Sequence, residues 1–209
     1  MKRIFALILT GMTALLLAGC GQVFNQKQQV KDAAQTTVTS INTELDTLKV
    51  INDTTATFPS TLQRALKTNP KEDLRQLDGP VKQLMDKRDK AYTNLNSADT
   101  NLAQAQRTLT KAANQSDTTL PKKALAALTS SLKLTTLDHK TLIAYYKEVT
   151  HAEQALFDQL QDDPTKADVN TALSQINQYY STLGQQIDVS LANLNTALDQ
   201  AKTLTKQLD

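Results

Sequence analysis

From residue 34 onward the apolar positions fall three and four residues apart. Ala34, Val38, Ile41, Leu45 and Leu48 make a first run. A second, over residues 80–115, reads Leu84, Ala91, Leu95, Ala98, Leu102, Ala105, Leu109 and Ala112, interrupted only by Arg88. The third, over 120–160, passes Ala124, Leu128 and Ser131, weakens at Thr135 and Asp138, and resumes at Leu142, Tyr145, Val149, Ala152 and Leu156. From Val169 the fourth reads Leu173, Ile176, Tyr180, Leu183, Ile187, Leu191, Leu194, Leu198, Ala201 and Leu208. This spacing draws one apolar stripe along a helix, and sustained stripes bury one another in left-handed antiparallel packing.

The breaks between the runs carry loop signals. Pro80 follows Asp78-Gly79, Pro121 follows Thr118-Thr119-Leu120, and Pro164 follows Asp162-Asp163, each proline suited to a first helical turn. The stretch from Pro59 to Thr68, ended by Asn69-Pro70, predicts a separate short helix. The fold class expected is all-α: an elongated, antiparallel up-and-down bundle with coiled-coil-like packing, about four long helices plus one short helix. A run like the second, some 36 residues at 1.5 Å per residue, would reach about 54 Å. Strands are not expected, since alternating β-branched and aromatic segments are missing.

Antiparallel hairpins also predict heights. A turn near Asp163 would set Tyr145 level with Tyr180, and one near Ser116-Asp117 would set Tyr92 level with about Ile143. An aromatic layer of Tyr92, Tyr145 and Tyr180 is the resulting expectation. Neighbours on a helix point about 100° apart, so Tyr146 and Tyr179 would lie on the flanks, where a ring can stack on a sugar or a partner surface. The competing reading makes all four tyrosines core and boundary packing with their hydroxyls in water.

The N-terminus follows another pattern. Met1-Lys2-Arg3 is a charged start, residues 4–17 are apolar but short and interrupted, and Leu17-Ala18-Gly19 leads to Cys20, the single cysteine. About 20 apolar residues are needed to span a bilayer, whereas a charged start, a short apolar region and small residues describe a secretory leader. Leu17-Ala18-Gly19-Cys20 resembles a bacterial lipobox, which implies a diacylglycerol on the Cys20 thiol and cleavage before it. Two acyl chains, at roughly 0.8 kcal/mol per buried CH₂, suffice for stable anchoring. The expected organisation is a leader at 1–19, a short membrane-proximal tether at 20–29 and the helical domain at 30–209. The location expected is extracytoplasmic, on the outer face of the cell membrane.

Composition narrows the remaining chemistry. The chain has 23 basic and 21 acidic residues; losing Lys2 and Arg3 with the leader leaves the two signs equal. No concentrated basic surface points to nucleic acid. His139 and His151 are the only histidines, and Glu148-Val149-Thr150-His151 has the Glu-x-x-His spacing of carboxylate-bridged di-metal bundles. A second such motif and further inward glutamates are wanting, so no metal or other cofactor is expected. Asp138 beside His139 makes a weak pair, and no glycine-rich nucleophile elbow or phosphate loop accompanies it. Asp138 reads instead as a solvent-exposed position where the stripe shifts, and Asp162-Asp163 as a charged turn with too few oxygens for calcium.

With MDKRDKAYTNL in its middle and KLTTLDHKTLIAYYKEVTHAEQALFDQL leading to INQYY, the chain resembles the YkyA-type cell-wall-binding lipoproteins of Gram-positive bacteria. The resemblance covers essentially the whole chain and offers no catalytic residues to carry over. It implies a non-enzymatic, lipid-anchored surface module whose partners are peptidoglycan or envelope proteins. Two other readings fit the sequence less well: a wall hydrolase, for want of a catalytic constellation, and a transporter's solute-binding lipoprotein, for want of strands.

Overall fold

The structure is a computed structural model that describes residues 2–68, 79–115, 119–162 and 169–209, with the side chains of 2–25, 162 and 169 not described. Cys20, the 1–19 segment and the turns near Asp117 and Asp163 therefore lie outside the described side chains and loops. Four helices follow in order: α1 (Lys2–Thr68), α2 (Pro80–Ala113), α3 (Lys122–Asp162) and α4 (Val169–Leu208). Each packs on its neighbours around a ring: α1 on α2 and α4, α3 on α4 and α2, with α1 and α3 diagonal. The tight pairs are α1 with α2 and α3 with α4, and the sparsest packing is α2 against α3. All the described secondary structure is helical, as the stripes require.

The short helix expected after Pro59 is absorbed into α1, which runs unbroken through that proline. Proline removes one helical hydrogen bond and costs about 3 kcal/mol. Phe58 and Leu62 flank it and are both fully buried, contributing roughly 1.5–3 kcal/mol each. A continuous helix keeps both on the buried stripe. Pro80 and Pro121 sit where the sequence places them: Pro80 opens α2 behind Gly79, and the Leu125 amide donates to the Pro121 carbonyl at 3.0 Å as α3 begins.

The threonines that weaken helix propensity are accommodated by a repeated local bond. Thr37 Oγ1 donates to the Ala33 carbonyl at 2.9 Å, Thr47 to Thr43 at 2.8 Å and Thr54 to Val50 at 2.8 Å. With its hydroxyl satisfied by the preceding turn, each can enter the core, and Thr37, Thr47 and Thr54 are buried.

Two details of the stripes differ from the spacing read above. In α3 the inward residues are Leu142, Tyr146, Val149, Glu153 and Leu156; a 4–3 step order replaces 3–4, so Tyr145 turns outward. In α1, Thr37 and Glu44 take inward positions while Val38 and Leu45 move to the flank. Hairpin height differs as well. Tyr180 bonds Glu153 and Asn193 bonds Asp138, so Tyr180 lies about eight residues, ~12 Å, from the height of Tyr145. The layer of Tyr92, Tyr145 and Tyr180 is not formed. The cause is that α3 ends at Asp162 and α4 starts at Val169, which centres the hairpin beyond Asp163.

Candidate functional site: two polar layers inside the bundle

Arg88, the charged break in the second stripe, is 1% exposed, and its partner Glu153 on α3 is 2% exposed. Arg88 Nη1 donates to Glu153 Oε1 at 2.6 Å, and Nη2 donates to Oε2. The Tyr180 hydroxyl on α4 donates to Glu153 Oε1. Helix α1 closes the layer with Phe58: the Arg88 guanidinium carbon lies 5.8 Å from the Phe58 ring centroid and 5.8 Å from that of Tyr146. Phe58 meets Phe157 and Tyr180 edge-on, at 6.2 and 5.9 Å. Tyr146 stacks on Tyr92 at 4.3 Å, and its hydroxyl donates to Asp89 Oδ1 at 3.1 Å.

The electrostatics follow from burial. Burial works to lower the Arg88 pKa, but the hydrogen bonds and charge of Glu153 overcome it and raise it above the usual value. Tyr180 is pushed up by burial and then by the Glu153 charge, and Tyr146 chiefly by burial. The pair is a charged, bidentate clamp with both carboxylate oxygens occupied. A carboxylate so engaged has little capacity to act as a base, and phenols held this firmly protonated are poor nucleophiles. The arrangement ties α2, α3 and α4 together around an α1 phenylalanine.

About four helical turns away lies a second polar layer. Glu44 on α1 is 3% exposed, and its Oε1 is buried without a hydrogen-bond partner. It lines a cavity of about 10 Å³ with Thr135, Asp138 and His139 of α3 and Ser190 of α4, space for about one water. His139 Nε2 lies 3.5 Å from Asp99 Oδ2 of α2, and Asn193 Nδ2 donates to Asp138 Oδ2 at 2.7 Å. Burial, and then the charge of Asp99, push the Glu44 carboxyl up to about 8. Burial also raises Asp99 and lowers His139. Glu44 therefore carries its proton at neutral pH.

Asp138 is thus half-buried and bonded across to α4, where the stripe alone predicts a solvent-exposed residue. Glu148 and His151 are both exposed, and among the described residues no group of three or more metal-binding side chains converges. Tyr146 is 3% exposed, so its ring is shut inside the clamp and unable to stack on a sugar; Tyr145, at 36%, faces outward in its place. Tyr179 lies on the surface at 41%. Glu44, Glu153 and Phe58 are the site residues that the spacing does not single out. The signal for Glu153 was Arg88 itself, since a buried cation requires a buried anion.

No curated protein and no solved structure matches the chain. Over residues 64–208 it matches the family model YkyA, described as "Putative cell-wall binding lipoprotein", and this helical chain belongs to that family.

Proposed function

We propose that the protein is a non-enzymatic module, anchored to the outer face of the cell membrane by a diacylglycerol on Cys20, that binds the cell wall through the sides of its bundle. The family match over 64–208 carries this reading. The clamp agrees with it: Arg88, Glu153 and Tyr180 spend their charge and hydrogen bonds on one another, which is a structural use. On the outer surface, helix α4 presents Gln178, Tyr179, Thr182, Gln185, Thr196 and other exposed uncharged side chains. Such groups offer hydroxyls, amides and one aromatic face to a glycan.

The test is retention on purified peptidoglycan by the full chain carrying Cys20→Ser, compared with the same chain carrying Tyr179→Ala. Retention above a bare-resin control, reduced at least threefold by Tyr179→Ala, is the expected outcome. A chain that passes through the wall fraction unretained refutes wall binding. Retention untouched at Tyr179 moves the contact elsewhere on the surface.

A further inference from the structure

Helix α3 carries a second stripe that no other described part of the bundle covers. Ala127, Ser130, Leu134, Leu137, Thr141 and Ala144 step 3, 4, 3, 4 and 3, and every one is exposed. Leu134 is 50% and Leu137 59% exposed, the two leucines among the described large apolar side chains left on the surface. Isolated surface leucines need no explanation. A heptad-spaced, charge-free line about 25 Å long is another matter, because its period is that of a coiled-coil seam. In heptad terms Ala127, Leu134 and Thr141 occupy a, and Ser130, Leu137 and Ala144 occupy d.

The flanks of this seam differ. On the side nearer α2, all three g positions are lysine: Lys133, Lys140 and Lys147, each exposed. Lys140 marks that side, since its charge acts on Asp99 of α2. On the side nearer α4 the e positions are Ser131, Asp138 and Tyr145, with Asp138 already held by Asn193. Charges at e and g set which helix pairs with which. A row of three lysines seven residues apart fits a helix with acidic side chains at the same interval.

A second copy of this chain meets that requirement poorly. Packed antiparallel, its lysine rows would face each other. Packed parallel, only Asp138 offers an opposing charge, and it is half-buried. We propose that the outer face of α3 between residues 127 and 147 docks an amphipathic helix of another protein, its apolar seam on Leu134 and Leu137 and its acidic flank on Lys133, Lys140 and Lys147. This goes beyond wall binding and uses a different face from Tyr179.

The experiment uses the full chain with Cys20→Ser, which carries no acyl anchor, in lipid-free solution. The probes are two fluorescent 21-residue peptides with leucine at a and d, one with glutamate and one with lysine at the flanking positions. Anisotropy at low salt should show the glutamate peptide binding at least tenfold more tightly than the lysine peptide. Leu134→Ser with Leu137→Ser should weaken that binding at least tenfold. Lys133→Glu, Lys140→Glu and Lys147→Glu together should reverse the preference. These positions are exposed, so melting temperatures should stay within about 2 °C of the parent; a larger fall overturns the reading of the seam as unpartnered. Equal binding of both peptides, or binding indifferent to Leu137, overturns the proposal. So does co-sedimentation with phosphatidylglycerol vesicles, lost with the same lysines, in the absence of peptide binding: the face would then meet an anionic surface instead of a helix.

Discussion

Removing one half of the Arg88–Glu153 clamp should destabilise the bundle far more than removing both halves. Arg88→Met leaves Glu153, 2% exposed, with only the Tyr180 hydroxyl to hold its charge. Glu153→Leu strands a guanidinium whose Nε already lacks a partner. An uncompensated buried charge costs about 3–5 kcal/mol. The double replacement strands no charge, and swapping a buried ion pair for apolar side chains ranges from neutral to about 4 kcal/mol stabilising. It leaves the Tyr180 hydroxyl without an acceptor, at about 1–3 kcal/mol, so the double variant should fall near the parent. Adding Tyr180→Phe should recover that last cost. The assay is urea unfolding followed by far-ultraviolet circular dichroism, with unchanged m values as the condition for comparing stabilities. At about 2–4 °C per kcal/mol for a chain of this size, each single variant should melt roughly 6–20 °C lower. If the single losses are below about 1 kcal/mol, or the double loss equals their sum, the clamp is not the closed charged unit described.

Glu44 gives a pH test. Its carboxyl rises from 4.5 to about 8 on folding, so the fold favours the protonated form. That stabilisation is fully present below pH 4.5 and is lost as pH rises through about 8, by at most roughly 5 kcal/mol. Urea midpoints should therefore fall across this window in the parent and fall much less in Glu44→Gln. Phe58→Ala should cost about 3–5 kcal/mol, read in the same unfolding assay, since the ring is fully buried against Arg88, Phe157 and Tyr180. In cells supplied with labelled palmitate, the parent chain should take up label and Cys20→Ser should not; label retained by the variant would remove Cys20 as the attachment point.

The helical class was legible because the stripes are long and the period of 3.6 repeats without competition. Both polar layers were legible as interruptions: Arg88 breaks one stripe, and Thr135 with Asp138 weakens another. What those residues meet was not. Steps of 3 then 4 and of 4 then 3 differ by one residue, so Tyr145 and Tyr146, or Leu45 and Glu44, are equally good candidates for one inward position. The choice was made across the bundle: Arg88 needs Glu153 inside, and once Glu153 faces inward the same turn rotation carries Tyr146 in and Tyr145 out. Pro59 misled for a similar reason. A local breaker signal lost to the tertiary burial of Phe58 and Leu62. The lysine row on α3 is visible in the sequence at positions 133, 140 and 147, but its meaning depends on knowing which neighbouring stripe is left uncovered.

The uneven packing around the ring has a mechanical consequence. Helices α1 with α2 and α3 with α4 form two well-fastened leaves, joined along a broad spine where α1 meets α4. The opposite edge, α2 against α3, is thinly packed, and Arg88 to Glu153 is its buried ionic clasp. A load that spreads the leaves would then act first on that clasp, and amides of α2 and α3 should exchange with solvent before those along the spine. The molecule would open as a book does, and the residue that breaks the apolar pattern is the one holding it shut.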